Sequence, residues 1–177
     1  RTFIALERAF HGKTLGALQL TANPRHREAF DLAGIKVIRV AANDIGQLEA
    51  AFGETDDLAG FIFEPVQGEG GVRPIDARFA QRAAGLCASR NVPFIADECQ
   101  TGMGRTGTFL ACENLGVKPD YIVLSKALGG GLAKISALLI RRARYHDAFD
   151  LRHTSTYADD DFSCAIALKA LELLDDG

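Results

Sequence analysis

Six short, almost unbroken apolar runs constrain what this chain can become. They are Thr2–Leu6, Lys36–Val40, Gly60–Glu64, Pro93–Asp97, Tyr121–Leu124 and Ser136–Ile140. Runs of this length with few polar interruptions are what strands need when both faces of a sheet are covered. Longer segments with helical periodicity separate them: Ile45–Phe52, Ala77–Ser89, Ala143–Phe149 and Phe162–Leu174. In the second of these, Phe79, Ala83, Leu86 and Cys87 recur at helical spacing, and Asp76 stands where an N-cap belongs. Strand–helix alternation predicts an α/β domain with a mostly parallel sheet flanked by helices. No internal repeat, low-complexity tract or linker interrupts it.

Length and charge narrow the classes. At 177 residues, 47% hydrophobic and 24% charged, the chain can bury one sizeable core. A net charge of −3 provides no broad basic footprint, so neither nucleic acid nor an anionic membrane surface is an expected partner. No apolar run approaches the roughly 20 residues that span a bilayer. Cys87, Cys99, Cys112 and Cys164 are scattered without metal-ligand spacing, three of them within apolar patterns. They read as reduced thiols in a cytoplasmic protein. The chain opens on Arg1 directly before a strand pattern and stops at Asp175-Asp176-Gly177 after a helical one. We therefore expect a piece of a longer protein.

Open α/β sheets bind ligands beyond the carboxyl ends of their strands. Three predicted strands end in Glu64, Asp97 and Lys126, each followed by a glycine-rich loop: Gln67–Gly71, Gly102–Gly107 and Gly129–Gly131. Glycine there allows close backbone approach to a ligand. Lys126 could be an ordinary solvated lysine. Asp97 and Glu98, like Glu64-Pro65, could simply cap strands and face water. An acid and a lysine at neighbouring strand exits also suit pyridoxal phosphate (PLP). The lysine supplies an amine for a Schiff base, with burial favouring its neutral form. The acid keeps a pyridinium nitrogen protonated. The Gly102–Gly107 loop lacks P-loop order, and Gly129–Gly131 lacks G-x-G-x-x-G spacing. His11 alone reads as structural, and His26, His146 and His153 show no metal-ligand spacing. No metal is expected.

Four motifs then occur in order: Phe10-His11-Gly12-Lys13-Thr14, Glu64-Pro65-Val66-Gln67-Gly68-Glu69-Gly70-Gly71, Asp97 through Gly107, and Ser125-Lys126-Ala127-Leu128-Gly129-Gly130-Gly131. Together they resemble the class III aminotransferases of the ornithine, acetylornithine, 4-aminobutyrate and putrescine type. These are PLP enzymes of fold type I, and the match covers nearly the whole chain. The resemblance implies that residues 1–177 are most of the large PLP-binding domain, with an N-terminal segment and a C-terminal small domain absent. It implies Lys126 as the catalytic residue that carries the cofactor and moves a proton. Asp97 would bind the pyridine nitrogen, Phe10 would stack on the ring, and Gln100 would bond its phenolic oxygen. Glu64 would support the site, and His11 counts with the cofactor-binding set. Glu69 matches an acid that shields or releases a substrate-binding arginine. In the segment His153–Tyr157, Thr156 would reach the partner subunit's cofactor phosphate in a homodimer or larger assembly.

Four departures from the family pattern stand out. Cys99 occupies the place of an aliphatic residue on the second ring face, a role a small apolar thiol can fill. Lys13 replaces arginine. Ala158-Asp159-Asp160-Asp161 replaces a Gly-Gly-Asn-Pro stretch, and its carboxylates could instead cap the helix near Phe162. Lys134-Ile135-Ser136 replaces a proline-containing stretch. The implied reaction is ping-pong transamination. A terminal amino group passes from an amine or amino acid donor to a 2-oxo acid such as 2-oxoglutarate. A PLP-dependent decarboxylase or aminomutase of the same fold remains an alternative. So do an inactive fragment with an assembly role and, remotely, a nucleotide-binding module. The isolated 177-residue piece is expected to be catalytically silent and poorly soluble or self-associating.

Overall fold

The computed structural model describes all residues except 31, 33, 151, 153, 154, 176 and 177. All six expected strands form: β1 (Thr2–Leu6), β2 (Lys36–Val40), β3 (Leu58–Phe63) and, after a small antiparallel hairpin of β4 (Val66–Gln67) and β5 (Arg73–Pro74), β6 (Phe94–Asp97), β7 (Tyr121–Leu124) and β8 (Ala137–Ile140). They join in one sheet of order β2-β1-β3-β6-β7-β8. Every pairing is parallel except β7 with β8. The chain leaves β1 for β2 on one side and later returns to β3 on the other. The crevice at the carboxyl ends of β1 and β3 is therefore a topological switch point, the usual ligand position in such sheets.

The helices are α1 (Leu15–Leu20), α2 (Pro24–Arg27), α3 (Ile45–Gly53), α4 (Ala77–Ser89), α5 (Ala111–Leu115) and α6 (Asp161–Asp175). α4 buries Phe79, Ala80, Ala83 and Cys87, while Leu86 is only partly covered. Asp76 occupies the N-cap position of α4 but makes no side-chain cap bond. Under α3 and α4 the sheet presents a phenylalanine stack. Phe63 and Phe94 lie 5.2 Å apart, and Phe61 stacks on Phe63 at 5.8 Å and on Phe94 at 5.9 Å. Phe52 of α3 and Phe79 of α4 each close on Phe61 at 6.5 Å. Offset ring stacks of this kind add to simple area burial.

Two expectations need correction. The predicted helix Ala143–Phe149 is absent, replaced by single 3₁₀ turns at Arg142–Arg144 and Asp147–Phe149. The Arg144 side chain turns back to Asp120 at 3.3 Å and to Asn91 Oδ1 at 2.6 Å. His146 Nδ1 accepts the Ala148 N–H and starts a second, separate turn. Neither turn buries a residue, so the apolar spacing finds no surface to cover. The second correction is β8, expected to be covered on both faces. It is an antiparallel edge strand with Leu138 and Leu139 each 43% exposed.

Candidate active site

Asp97 is the last residue of β6, and its carboxylate is held from two sides. His11 Nδ1 lies 2.8 Å from Asp97 Oδ2, and the Cys99 N–H donates to Oδ1 at 3.2 Å. Burial pushes this carboxyl towards its neutral form, but the hydrogen bond and charge of His11 and the bonds from Cys99 outweigh it. The net result is an aspartate held below its ordinary value and therefore ionised. An ionised carboxylate only accepts, so Nδ1 carries the proton of this bond. The other ring nitrogen, Nε2, is buried without a hydrogen-bond partner among the described residues.

His11 reaches Asp97 because the loop after β1 is itself pinned. Glu64, at the end of β3, accepts the Phe10 N–H at 3.1 Å. Thr21, fully buried, accepts the His11 N–H at 3.1 Å and donates to the Gly12 carbonyl at 3.0 Å. Burial pushes the Glu64 carboxyl up, partly offset by the Phe10 bond and the nearby His11. Glu64, His11 and Asp97 thus form one connected polar wall across three strand ends.

Lys126 follows β7 and opens a 3₁₀ turn, Lys126–Gly129, with a left-handed φ of 44°. Ser125 fixes the entry by donating to the Ile135 carbonyl at 3.1 Å. Gly130 continues the turn at φ 59° with α6 packed beside it; a Cβ there would lie 3.8 Å from Ala170 Cβ. Lys126 was expected to be buried enough to favour its neutral amine. Instead it is exposed, without a hydrogen bond or ion pair among the described residues. It lines a cleft of about 850 Å³ together with Cys99, Gln100, Glu69 and Gly68. The Gln100 amide lies against Gly68, where a Cβ would sit 2.2 Å from Oε1 and would displace that side chain. Burial and the neighbouring Asp97 push the Cys99 thiol up to about 12, so it stays protonated and unreactive.

Phe10 does not line that cleft. It borders a second one of about 720 Å³ at the switch point, with Arg8, Lys13, His26 and Glu69. Glu69 is common to both clefts, which are therefore adjacent. Thr156 lines neither and lies exposed in a turn, while His153 and Thr154 fall outside the described residues. In the acidic run after it, Asp160 Oδ1 accepts the Ser163 N–H at 2.8 Å, which makes it a helix cap. Glu98 does not face water. It is 1% exposed and accepts from the Ala111 N–H at 3.1 Å, the Cys112 N–H at 2.8 Å and the Thr101 hydroxyl at 2.5 Å. Thr21, Gln67 and the capping role of Glu98 escaped the sequence reading. The only local signal for Gln67 was its place beside Glu64 in the glycine-rich motif.

Comparisons with known proteins place the chain in a family. The family model described as aminotransferase class-III matches residues 1–177. An ornithine aminotransferase of Bacillus cereus is 41% identical over 98% of this chain and 43% of its own length. A putrescine aminotransferase of Pectobacterium atrosepticum is also 41% identical, over 98% of this chain and 38% of its own. Among solved structures, ornithine aminotransferase from Toxoplasma gondii superposes with a TM-score of 0.89 at 34% identity, covering 99% of this chain and 41% of that one. A PLP-bound amine transaminase from an uncultivated Pseudomonas species gives a TM-score of 0.87 at 27% identity, covering 98% and 45%. The chain thus spans about two fifths of the length of these relatives. On the strength of a match along its whole length, this chain belongs to the class-III aminotransferases.

Proposed function

We propose that this chain forms most of the PLP-binding large domain of a transaminase. The enzyme would move a terminal amino group from an amine or amino acid donor to a 2-oxo acid. The observation that carries the reading is the pairing of an aspartate held ionised at the end of β6 with a lysine just past the end of β7 that is without a partner among the described residues. The residues fit the cofactor by their own chemistry. Asp97 offers a buried anion suited to a protonated ring nitrogen. Gln100 offers an amide that the missing Cβ of Gly68 leaves room for. Lys126 offers a primary amine open to the cleft. Bound PLP supplies an electron sink for the carbon that bears the amino group.

The chain's own residues have separate tasks. Lys126 serves as the nucleophilic amine and then as the base and acid that moves a proton at its Nζ. Asp97 favours the cationic ring, and His11 holds Asp97 in place. Glu64 positions Phe10 through its backbone. Cys99 bounds the ring space within the Lys126 cleft, Phe10 borders it from the adjacent cleft, and Glu69, common to both, serves the substrate end. Thr156, exposed and outside both clefts, is free to serve a partner subunit in a homodimer. A cytoplasmic location accords with the protonated, unbridged thiols.

The test uses the full-length protein. Borohydride treatment of the PLP-loaded enzyme should fix the cofactor to the peptide containing Lys126, and a panel of amine donors should then reveal the preferred donor. Label on Lys134 or Lys169 instead would sink the assignment.

A further inference from the structure

At the β2 edge of the sheet lies a cleft of about 570 Å³ that shares no lining residue with the clefts at Phe10 and Lys126. Two guanidinium groups border it: Arg27 at the end of α2 and Arg39 on β2. The described lining residues include no acidic side chain. Ile35 and Val37 form part of the wall, and apolar walls strengthen whatever electrostatic contact is made inside.

The Arg39 side chain is fixed at one end and unsatisfied at the other. Its Nη2 donates to the Gln19 carbonyl and to the Thr21 carbonyl, each at 3.0 Å. Those bonds use both protons of that nitrogen. Nη1 is buried and has no hydrogen-bond partner among the described residues. A buried donor of a charged group is costly to leave unpaired. The Gln19 amide is turned elsewhere. It donates to the carbonyls of Leu15 at 3.3 Å and Phe30 at 2.8 Å and accepts the Leu32 N–H at 3.3 Å. Burial, and behind it the charge of Arg27, push the Arg39 guanidinium down from its ordinary value, so Arg27 stands within electrostatic reach. Arg27 has a partner of its own, and the site therefore rests on Arg39 Nη1, with Arg27 adding positive field.

The same geometry selects the class of anion. Both paired edges of a guanidinium include Nη2, so Arg39 cannot grip a planar carboxylate with two parallel N–H groups. Nη1 still offers two diverging donors. A tetrahedral oxyanion can accept from Nη1 through one oxygen and turn another towards Arg27. We propose that this cleft binds a phosphate group, either free inorganic phosphate or one carried on a small phosphate ester. Arg39 Nη1 is its donor and Arg27 its supporting charge. The proposal does not depend on the transaminase reading.

The experiment is isothermal titration of inorganic phosphate into the full-length PLP-loaded protein, in which the cofactor's own phosphate already occupies its place. Saturable binding is expected. Arg39→Lys keeps a cation able to reach the two carbonyls but removes Nη1, and it should weaken binding about tenfold or more. Arg27→Gln leaves the carbonyl bonds of Arg39 in place and should weaken binding about threefold or more through lost charge. It decides the question alone if Arg39→Lys does not fold. Acetate should bind more weakly than phosphate. Glycerol phosphate binding more tightly than inorganic phosphate assigns the site to an ester, and weaker binding assigns it to the free ion. No saturable phosphate binding to the parent protein overturns the proposal. Binding unchanged in the variants lies elsewhere and overturns it too. Acetate binding as tightly as phosphate overturns the choice of anion.

Discussion

Asp97 shows how a single side chain acquires its chemistry from its neighbours. Burial by itself pushes its pKa up, while two donors bring it below the ordinary value. Replacing His11 with leucine removes one donor at similar bulk. Hydrogen bonds to charged groups are worth roughly 1.5–3 kcal/mol, so His11→Leu should lower stability by about that amount at pH 7. The pH dependence follows from the direction of the shift. A carboxyl whose folded value lies below its unfolded one contributes fully above the ordinary aspartate value of 3.8. That contribution is lost as pH falls further, through the folded value. Urea unfolding of parent and variant should therefore converge below pH 3.8. A gap that widens on acidification would contradict the ionised assignment. The thiols give a second prediction. Burial pushes Cys87 and Cys99 up to about 12, and Cys112 also upward, whereas Cys164 is exposed. Iodoacetamide at pH 8 should modify Cys164 first, Cys99 far more slowly, and the buried Cys87 and Cys112 only after unfolding, as peptide mass mapping would show.

Among the elements, the loop between β6 and α5 is closely packed at Gly102. Gly102 donates to the Glu98 carbonyl at 2.9 Å, and a Cβ on it would meet that oxygen at 2.9 Å and Leu124 Cδ2 at 2.6 Å. Gly102→Ala must move either β7 or the residue that caps α5. A destabilisation of about 1–3 kcal/mol is expected, as for other overpacked sites. Gly85, on the exposed face of α4, has nothing within 4 Å of its Cβ position. Gly85→Ala should stabilise by roughly 0.5–1 kcal/mol. Thermal melts of the pair should shift in opposite directions. The same scale shows where the sequence was legible. The strands and α4 carry long apolar patterns that only one arrangement buries. α1, α2 and α5 are 6, 4 and 5 residues long, too short for periodicity to declare them. α5 depends on the Glu98 carboxylate, which precedes it by 13 and 14 positions at the two bonds it accepts.

For the whole molecule, the phenylalanine core lies on the α3–α4 side, and α6 is far less covered. Phe162 is 70% exposed, Leu168 59% and Leu173 62%. With the edge strand β8, these residues leave an extended apolar surface on the 177-residue chain. Exposed patches and edges of this kind drive association. Sedimentation of the purified 177-residue chain should show species larger than a monomer, shrinking when Phe162 and Leu168 are replaced by polar residues. A monodisperse monomer at tens of micromolar would contradict this.

The sequence by itself determined the sheet, its mainly parallel character and the strand ends that carry Glu64, Asp97 and Lys126. Each of these follows from local apolar pattern, which every buried strand must display. It also exposed the four motifs, since their residues are contiguous. Only the tertiary structure decided which of these residues meet. His11 and Asp97 are 86 positions apart and touch because Thr21 and Glu64 pin the loop after β1. It also decided that Glu98 caps a helix, that the segment around Ala143 stays in turns, and that Arg8 faces an open cleft beside Lys13 and Glu69. These outcomes depend on where distant carbonyls, carboxylates and glycines come to rest. No periodicity along the chain records that information.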